Sequence, residues 1–138
     1  MLVAVLATID AVILIVTAAL GLTALVQWGK RGGGAVPTAK AVAHATIQIT
    51  ALALWVGFIA TGEIWLAWTT FGIITAGQVA GELLAYARFH ARHPDVTRPG
   101  YLQVVGDGMK LPVPAFHAWV GAVGWFGMLA ICIVATVA

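Results

Sequence analysis

Hydrophobic residues fill four long stretches of this chain, and short polar segments separate them. The stretches run over about residues 2–27, 40–60, 64–89 and 113–137. A helix needs about 20 apolar residues to cross the hydrocarbon core of a bilayer, so each stretch has the length of one transmembrane helix. The sequence therefore predicts an all-α protein, a four-helix transmembrane bundle that takes up residues 1–138 as a single domain.

Turn-forming and interfacial residues mark the ends of the predicted spans. The first stretch stops at Trp28 and is followed by Arg31 and a glycine triplet at 32–34. Residues 61–63 leave room only for a very short turn, so the second and third helices should pack antiparallel. The longest loop, which is rich in turn-forming residues, precedes Pro112 at the start of the last span.

The basic residues are concentrated in and beside two of the loops, and both loops lie on one side of the predicted bundle. By the positive-inside rule that side is cytoplasmic. We therefore expect an up-down-up-down, multi-pass protein of the inner (plasma) membrane, with both termini on the non-cytoplasmic side. The second and fourth helices then run parallel and occupy diagonal positions. The basic residues are Lys30, Arg31, Lys40, Arg88, Arg92, Arg98 and Lys110.

Composition agrees with a bilayer as the solvent. Hydrophobic residues make up 62% of the chain and charged residues 9%, a balance that water-soluble domains do not need. The net charge of +2 is explained by the topology signals, so nucleic acid is not an expected partner. The first stretch is longer than the apolar region of a signal peptide and contains Asp10, which favours a retained helix.

Two histidines stand at matching depths in the predicted bundle. His44 lies four residues into the second helix and His117 a few residues into the fourth, each about 5 Å inside the cytoplasmic boundary. Imidazoles on diagonal helices are what a bis-histidine haem requires. Hydrogen bonding between helices explains the same pair without a cofactor, and a metal-ion site would want a nearby carboxylate or thiolate. His90 and His93 are expected to be solvated loop residues.

Small and basic residues near these histidines suit a porphyrin. Glycines at similar depth leave room for its edge, namely Gly77, Gly81 and Gly121. Basic residues at the interface are candidate partners for its propionates, namely Lys40, Arg88 and Lys110. These cations also serve as topology signals.

Polar side chains within the spans form a second group of candidates. Gln48 follows His44 by four residues and could orient the imidazole or line a quinone or proton pocket. Gln78 and Glu82 share a face of the third helix and are expected near the histidines. Asp10 lies inside the first helix, where an acid needs the bundle interior, water or a partner. A plain interhelical hydrogen-bond network accounts for the same residues.

The segment His117-Ala118-Trp119-Val120-Gly121 and the four-span plan resemble the small four-helix membrane b-type cytochromes, the cytochrome b561-like proteins. This resemblance implies haem b and a link to quinone. The second histidine pair of the two-haem members is absent. The segment Pro112-Val113-Pro114 ahead of His117 is also similar to that of small bacterial four-span membrane proteins, a likeness that implies no function.

The leading hypothesis is a haem b-binding membrane protein that acts in electron transfer or as a quinone-linked membrane anchor. Whether it is an enzyme stays open, and an electron carrier or non-catalytic subunit is favoured because no nucleophile–base pair, phosphate loop or metal motif supports chemistry on a soluble substrate. A second is a cofactor-free accessory or assembly subunit of a membrane complex. A third is a small proton-coupled transporter or channel built around Glu82, Gln78 and Asp10. Expected partners are the lipid bilayer, quinone, and other membrane subunits or a second copy of the chain.

Overall fold

The computed structural model describes residues 1–30 and 37–137. They form five helices, α1 (Leu2–Lys30), α2 (Thr38–Thr61), α3 (Ile64–Arg92), α4 (Tyr101–Met109) and α5 (Pro112–Val137). Within these ranges there is no strand, so the prediction of an all-α protein is confirmed. Arg31 and the glycine triplet at 32–34 lie outside the described residues.

Glycine and proline set the ends of two long helices. Gly62 closes α2 in the left-handed conformation, with φ of 74°, and its N–H donates to the Phe58 carbonyl oxygen at 2.8 Å. Glycine adopts this conformation without a steric penalty, which lets the chain reverse and begin α3 at Ile64. Pro112 occupies the first position of α5, where its missing N–H costs no helical hydrogen bond.

Three of the helices, α1, α2 and α5, are long and apolar enough to cross a membrane by length and composition. The α3 helix has the same 29-residue length as α1 but is not among these three. Its sequence includes Trp65, Trp68, Gln78 and Glu82 among the apolar residues, which lowers its hydropathy. The structure thus supports a membrane protein with three candidate spans.

The α4 helix corrects the expectation that the segment between the third and fourth spans is only a turn-rich loop. Gly106 and Gly108 have poor helix propensity, which is why the sequence indicated turns. Contact with α3 and α5 overrides that preference: Val104 is buried, and the Asp107 carboxylate forms an ion pair with the Arg92 guanidinium of α3. His90 also lies within α3, in its last turn.

The long helices associate as two antiparallel pairs. In one pair α1 packs along α5, where Gly124 receives the Leu14 side chain and Gly121 that of Thr17. In the other α2 packs along α3, where Gly77 receives the Gln48 side chain. Glycine permits these close approaches because it carries no Cβ. We call these the α1–α5 pair and the α2–α3 pair.

Two tryptophans join the pairs to each other. The Trp55 indole N–H of α2 donates to the Ala7 carbonyl oxygen of α1 at 3.1 Å. The Trp125 indole N–H of α5 donates to the Thr75 hydroxyl of α3 at 2.9 Å. Within the described residues α2 and α5 have no close backbone approach to each other, so they lie diagonally, and side chains alone meet across the space between them.

The apolar core is concentrated toward the end of the molecule that carries the turn at Gly62. It contains Ala7, Ala11, Leu14, Ala51, Trp55, Phe58, Ala67, Ile74, Met128, Ile131 and Cys132. Large apolar side chains on the outer surface of the helices are exposed, among them Leu22, Ile49 and Phe126, as expected for surfaces that face lipid. The histidines lie at the other end of the core, toward the basic side.

Candidate functional site

His44 and His117 lie next to each other between the two helix pairs, in an edge-to-face arrangement. Their ring centroids are 6.4 Å apart and the ring planes are at 77° to each other. Each ring comes from a different pair, His44 from α2 and His117 from α5. The structure therefore brings together the two imidazoles that the sequence singled out.

The neighbouring helix within each pair orients its histidine. His44 Nδ1 lies 3.0 Å from the Gly77 carbonyl oxygen of α3. His117 Nδ1 lies 2.8 Å from the Thr17 carbonyl oxygen of α1. A carbonyl oxygen can only accept, so both Nδ1 atoms donate the hydrogen bond and carry the proton. In each neutral ring the lone pair is then on Nε2, the nitrogen that can coordinate a metal.

A glycine lies against each imidazole, one turn beyond the carbonyl that holds it. A Cβ at Gly81 would lie 3.1 Å from His44 Cε1, and a Cβ at Gly21 would lie 2.9 Å from His117 Cε1. In both pairs the glycine follows the accepting residue by four positions, 77 to 81 and 17 to 21. The two halves of the site are thus built in the same way: a histidine, a carbonyl and a glycine.

We expect Gly21→Ala and Gly81→Ala to destabilise the protein by about 1–3 kcal/mol, the usual cost of overpacking a filled interior. The rigid imidazoles cannot yield without breaking their hydrogen bonds to the carbonyls. The free energy of unfolding in detergent measures the effect. Gly72→Ala is the matched control, because a Cβ there has no neighbour within 4 Å. Equal stability of Gly21→Ala and Gly72→Ala would contradict the close contact.

Of the other polar candidates, only Gln48 lies beside the histidines. Its amide nitrogen would be 2.8 Å from a Cβ at Gly77, the residue whose carbonyl holds His44. Gln78 and Glu82 are exposed on another face of α3. The Tyr101 hydroxyl donates to a Glu82 carboxylate oxygen at 3.4 Å, and this negative charge raises the pKa of Tyr101.

Asp10 is buried in the core, away from the histidines. Its exposed fraction is 2%, and neither carboxylate oxygen has a hydrogen-bond partner among the described residues. A Cβ at Gly127 would lie 2.8 Å from Asp10 Oδ1, so the glycine makes room for the carboxyl group. Seven residues separate Asp10 from Thr17, about 10 Å along a helix, and Asp10 is therefore not part of the histidine site.

The cationic candidates separate into two groups. Lys40 and Lys110 are exposed. Arg88 instead lines a cavity of about 260 Å³ together with Arg92 and Gln27. Sequence reasoning treated Arg92 only as a topology signal, although its spacing of four from Arg88 indicates a shared helix face.

His44 and His117 have no third metal-ligating side chain beside them in the described part of the chain. Among the described residues no group of three or more His, Cys, Asp or Glu side chains is arranged to hold a metal ion. The single cysteine, Cys132, is buried in the apolar core. The protein thus offers two imidazole nitrogens at this point, and a group bound there must bring its other ligands with it.

No family of known proteins matches this chain, and comparison with curated proteins and with solved structures gave no match.

Proposed function

We propose that this protein binds one haem b, with His44 and His117 as the two axial ligands. The observation that carries the proposal is the 6.4 Å between the ring centroids. Two imidazoles this close, one from each helix pair, could both bind one metal-centred cofactor held between the pairs.

The hydrogen bonds at Nδ1 support the same assignment. Histidines that ligate metals almost always donate the other ring N–H to a carbonyl, carboxylate or water, which fixes the tautomer and the ring orientation. Both His44 and His117 have this arrangement, with the carbonyls of Gly77 and Thr17. Interhelical bonding alone would not require two such arrangements to lie next to each other.

Glycines bring the helices of each pair close together around the histidines. Gly21 and Gly81 lie against the two imidazoles, Gly77 against Gln48 and Gly121 against Thr17, so side chains of the protein fill the space that the sequence suggested for a porphyrin edge. Haem, when bound, supplies one-electron chemistry, while the protein holds it and tunes it through its ligands and surroundings.

We further propose that the four long helices form a transmembrane bundle, with α3 as a fourth span beside α1, α2 and α5. Its length and its packing against α2 and α5 support this. The basic residues at one end support a cytoplasmic location of that end, with both termini outside, in the inner (plasma) membrane. A Trp68 indole N–H that donates to Thr136 ties α3 to the last turns of α5.

The proposed role is electron transfer, or the anchoring of a quinone-linked complex. One haem on the basic side cannot carry an electron across the whole membrane, so quinone or another subunit has to supply or remove the electron. The matching partner classes are a lipid-soluble quinone and a membrane or peripheral redox subunit.

An absorbance spectrum of the purified protein tests this function. We expect a Soret band, and on reduction a sharp alpha band of six-coordinate haem. The protein should be made with ample haem, so that cofactor supply does not limit the result. Colourless protein under these conditions would contradict the proposal.

The runner-up is a cofactor-free accessory or assembly subunit. It is favoured by the fact that the histidine–carbonyl hydrogen bonds by themselves join α2 to α3 and α5 to α1. This function predicts colourless protein that co-purifies with a larger membrane complex. A proton-coupled transporter stays a third hypothesis, although Asp10 is buried in the core while Gln78 and Glu82 are exposed.

A further inference from the structure

A cavity of about 260 Å³ lies at the basic end of the molecule, between α1, α3 and the start of α5. Its walls include apolar residues and a tryptophan, and two arginines and a glutamine contribute the polar groups. The lining residues are Ala24, Gln27, Trp28, Arg88, Arg92, Leu111, Pro112 and Pro114. A cavity with apolar walls and two guanidinium groups fits a ligand that has an apolar body and an anionic head.

The cavity lies about one helical turn from the histidine site, on its basic side. Pro114 precedes His117 by three residues on α5, and Ala24 follows Gly21, the glycine against the His117 ring, by three residues on α1. Three residues of helix span about 4.5 Å. The part of a bound haem that extends toward the basic side would therefore be within reach of this cavity.

The Arg92 guanidinium has one nitrogen in an ion pair and another without a partner among the described residues. Its Nη2 pairs with the Asp107 carboxylate of α4, whereas its Nε is buried with no hydrogen-bond partner among the described residues. A buried unpaired donor is costly, and a ligand that accepts from it removes that cost. Asp107 thus holds Arg92 at the cavity and ties α4 to α3.

We propose that this cavity binds the propionate carboxylates of the haem, with Arg88 and Arg92 as their cationic partners. The inference rests on the proposed haem function and assigns the ligand's orientation, propionates toward the basic side. It replaces Lys40 and Lys110, the exposed lysines that the sequence suggested for this role. Arginine suits carboxylates because its planar fork of N–H donors matches their geometry.

The test compares haem with haem dimethyl ester, in which both carboxylates are masked, on the full-length apoprotein in detergent. The wild type should bind the ester more weakly, on the order of tenfold or more, as expected for lost charge-assisted hydrogen bonds. Arg88→Gln and Arg92→Gln should weaken binding of haem and leave the ester unchanged. Comparing the haem-to-ester affinity ratio of each variant with that of the wild type cancels the greater hydrophobicity of the ester, because that contribution is the same in both proteins.

Two variants separate ligand binding from a structural role. Asp107→Asn breaks the same tether to α4 as Arg92→Gln but keeps the cation, so it should retain the preference for haem over its ester. Lys40→Gln removes an exposed cation of α2 and should also retain it. Loss of the preference in Lys40→Gln but not in Arg88→Gln would overturn the assignment.

The results of these binding measurements distinguish a wrong propionate site from a wrong haem function. If neither haem nor its ester binds, the function is wrong. If haem binds but Arg88→Gln and Arg92→Gln keep the haem-to-ester affinity ratio of the wild type, the function stands and the propionate site is wrong. If the purified wild type instead retains anionic phospholipid that Arg88→Gln loses, with no preference between haem and ester, the cavity is a lipid headgroup site and the inference is overturned.

Discussion

Alanine in place of either His44 or His117 is expected to abolish the six-coordinate haem spectrum that the proposed function predicts. In the proposed site both rings would hold the haem, so the two single variants and the double variant should lose it equally. Residues that act as a unit have effects that do not add. The measurement is the reduced alpha band, normalised to protein, in membranes and after purification.

Controls have to separate the loss of a ligand from the loss of the fold. Removing His44 or His117 also removes a hydrogen bond that joins two helices, at a cost of about 0.5–1.5 kcal/mol. Free imidazole added to the alanine variants should restore the spectrum if only the ligand is missing. His90→Ala and His93→Ala, which change exposed rings, should keep the wild-type spectrum. An unchanged spectrum in His44→Ala or His117→Ala would contradict the site.

The proximity of His44 and His117 can be predicted from the sequence. Their distances from the ends of their helices give the depth, and the order of the spans gives diagonal positions. The carbonyls that hold them do not follow from this reasoning. Which residue of α1 or α3 faces an imidazole depends on the rotation of that helix about its axis, and apolar spans carry little periodicity to fix it.

The rotation of α3 about its own axis could not be predicted from the sequence. Gln78 and Glu82 share a face, as their spacing of four predicts. Gly77 and Gly81 share the adjoining face, about 100° away, and it is this face that contacts Gln48 and His44. In a bilayer, close packing of glycine decides the rotation, so Gln78 and Glu82 turn outward and are exposed. The Tyr101 hydroxyl of α4 donates to Glu82 there.

The surroundings of Asp10 and the helix α4 could not be predicted from the sequence, for different reasons. An acid within a span has to find an interior or interfacial position, but only tertiary structure shows that Asp10 is opposite Gly127 and that its carboxylate has no hydrogen-bond partner in the described part of the chain. For α4, the glycines conceal an amphipathic segment whose contacts with α3 and α5 lie far away in sequence. Helix propensity depends on the local sequence alone and cannot predict such contacts.

Trp55→Ala is expected to be the most destabilising single change in the core, by about 3–5 kcal/mol. The Trp55 side chain has no exposed surface, packs on Phe58 with ring centroids 5.0 Å apart, and donates to the Ala7 carbonyl oxygen. Trp55→Phe, which keeps most of the volume but removes the donor, should cost about 1 kcal/mol through the lost hydrogen bond. Unfolding in detergent measures both.

Trp119→Ala is the matched control, because that indole is 67% exposed and its removal should change stability little. The consequence for function follows from the position of Trp55, which joins α2 to α1 and so holds together the two helix pairs that each contribute one histidine. Loosening that junction should weaken haem binding in Trp55→Ala without touching either ligand, whereas Trp119→Ala should bind haem normally. If Trp55→Ala unfolded more easily and yet bound haem with wild-type affinity, the histidines would not depend on the register between the pairs.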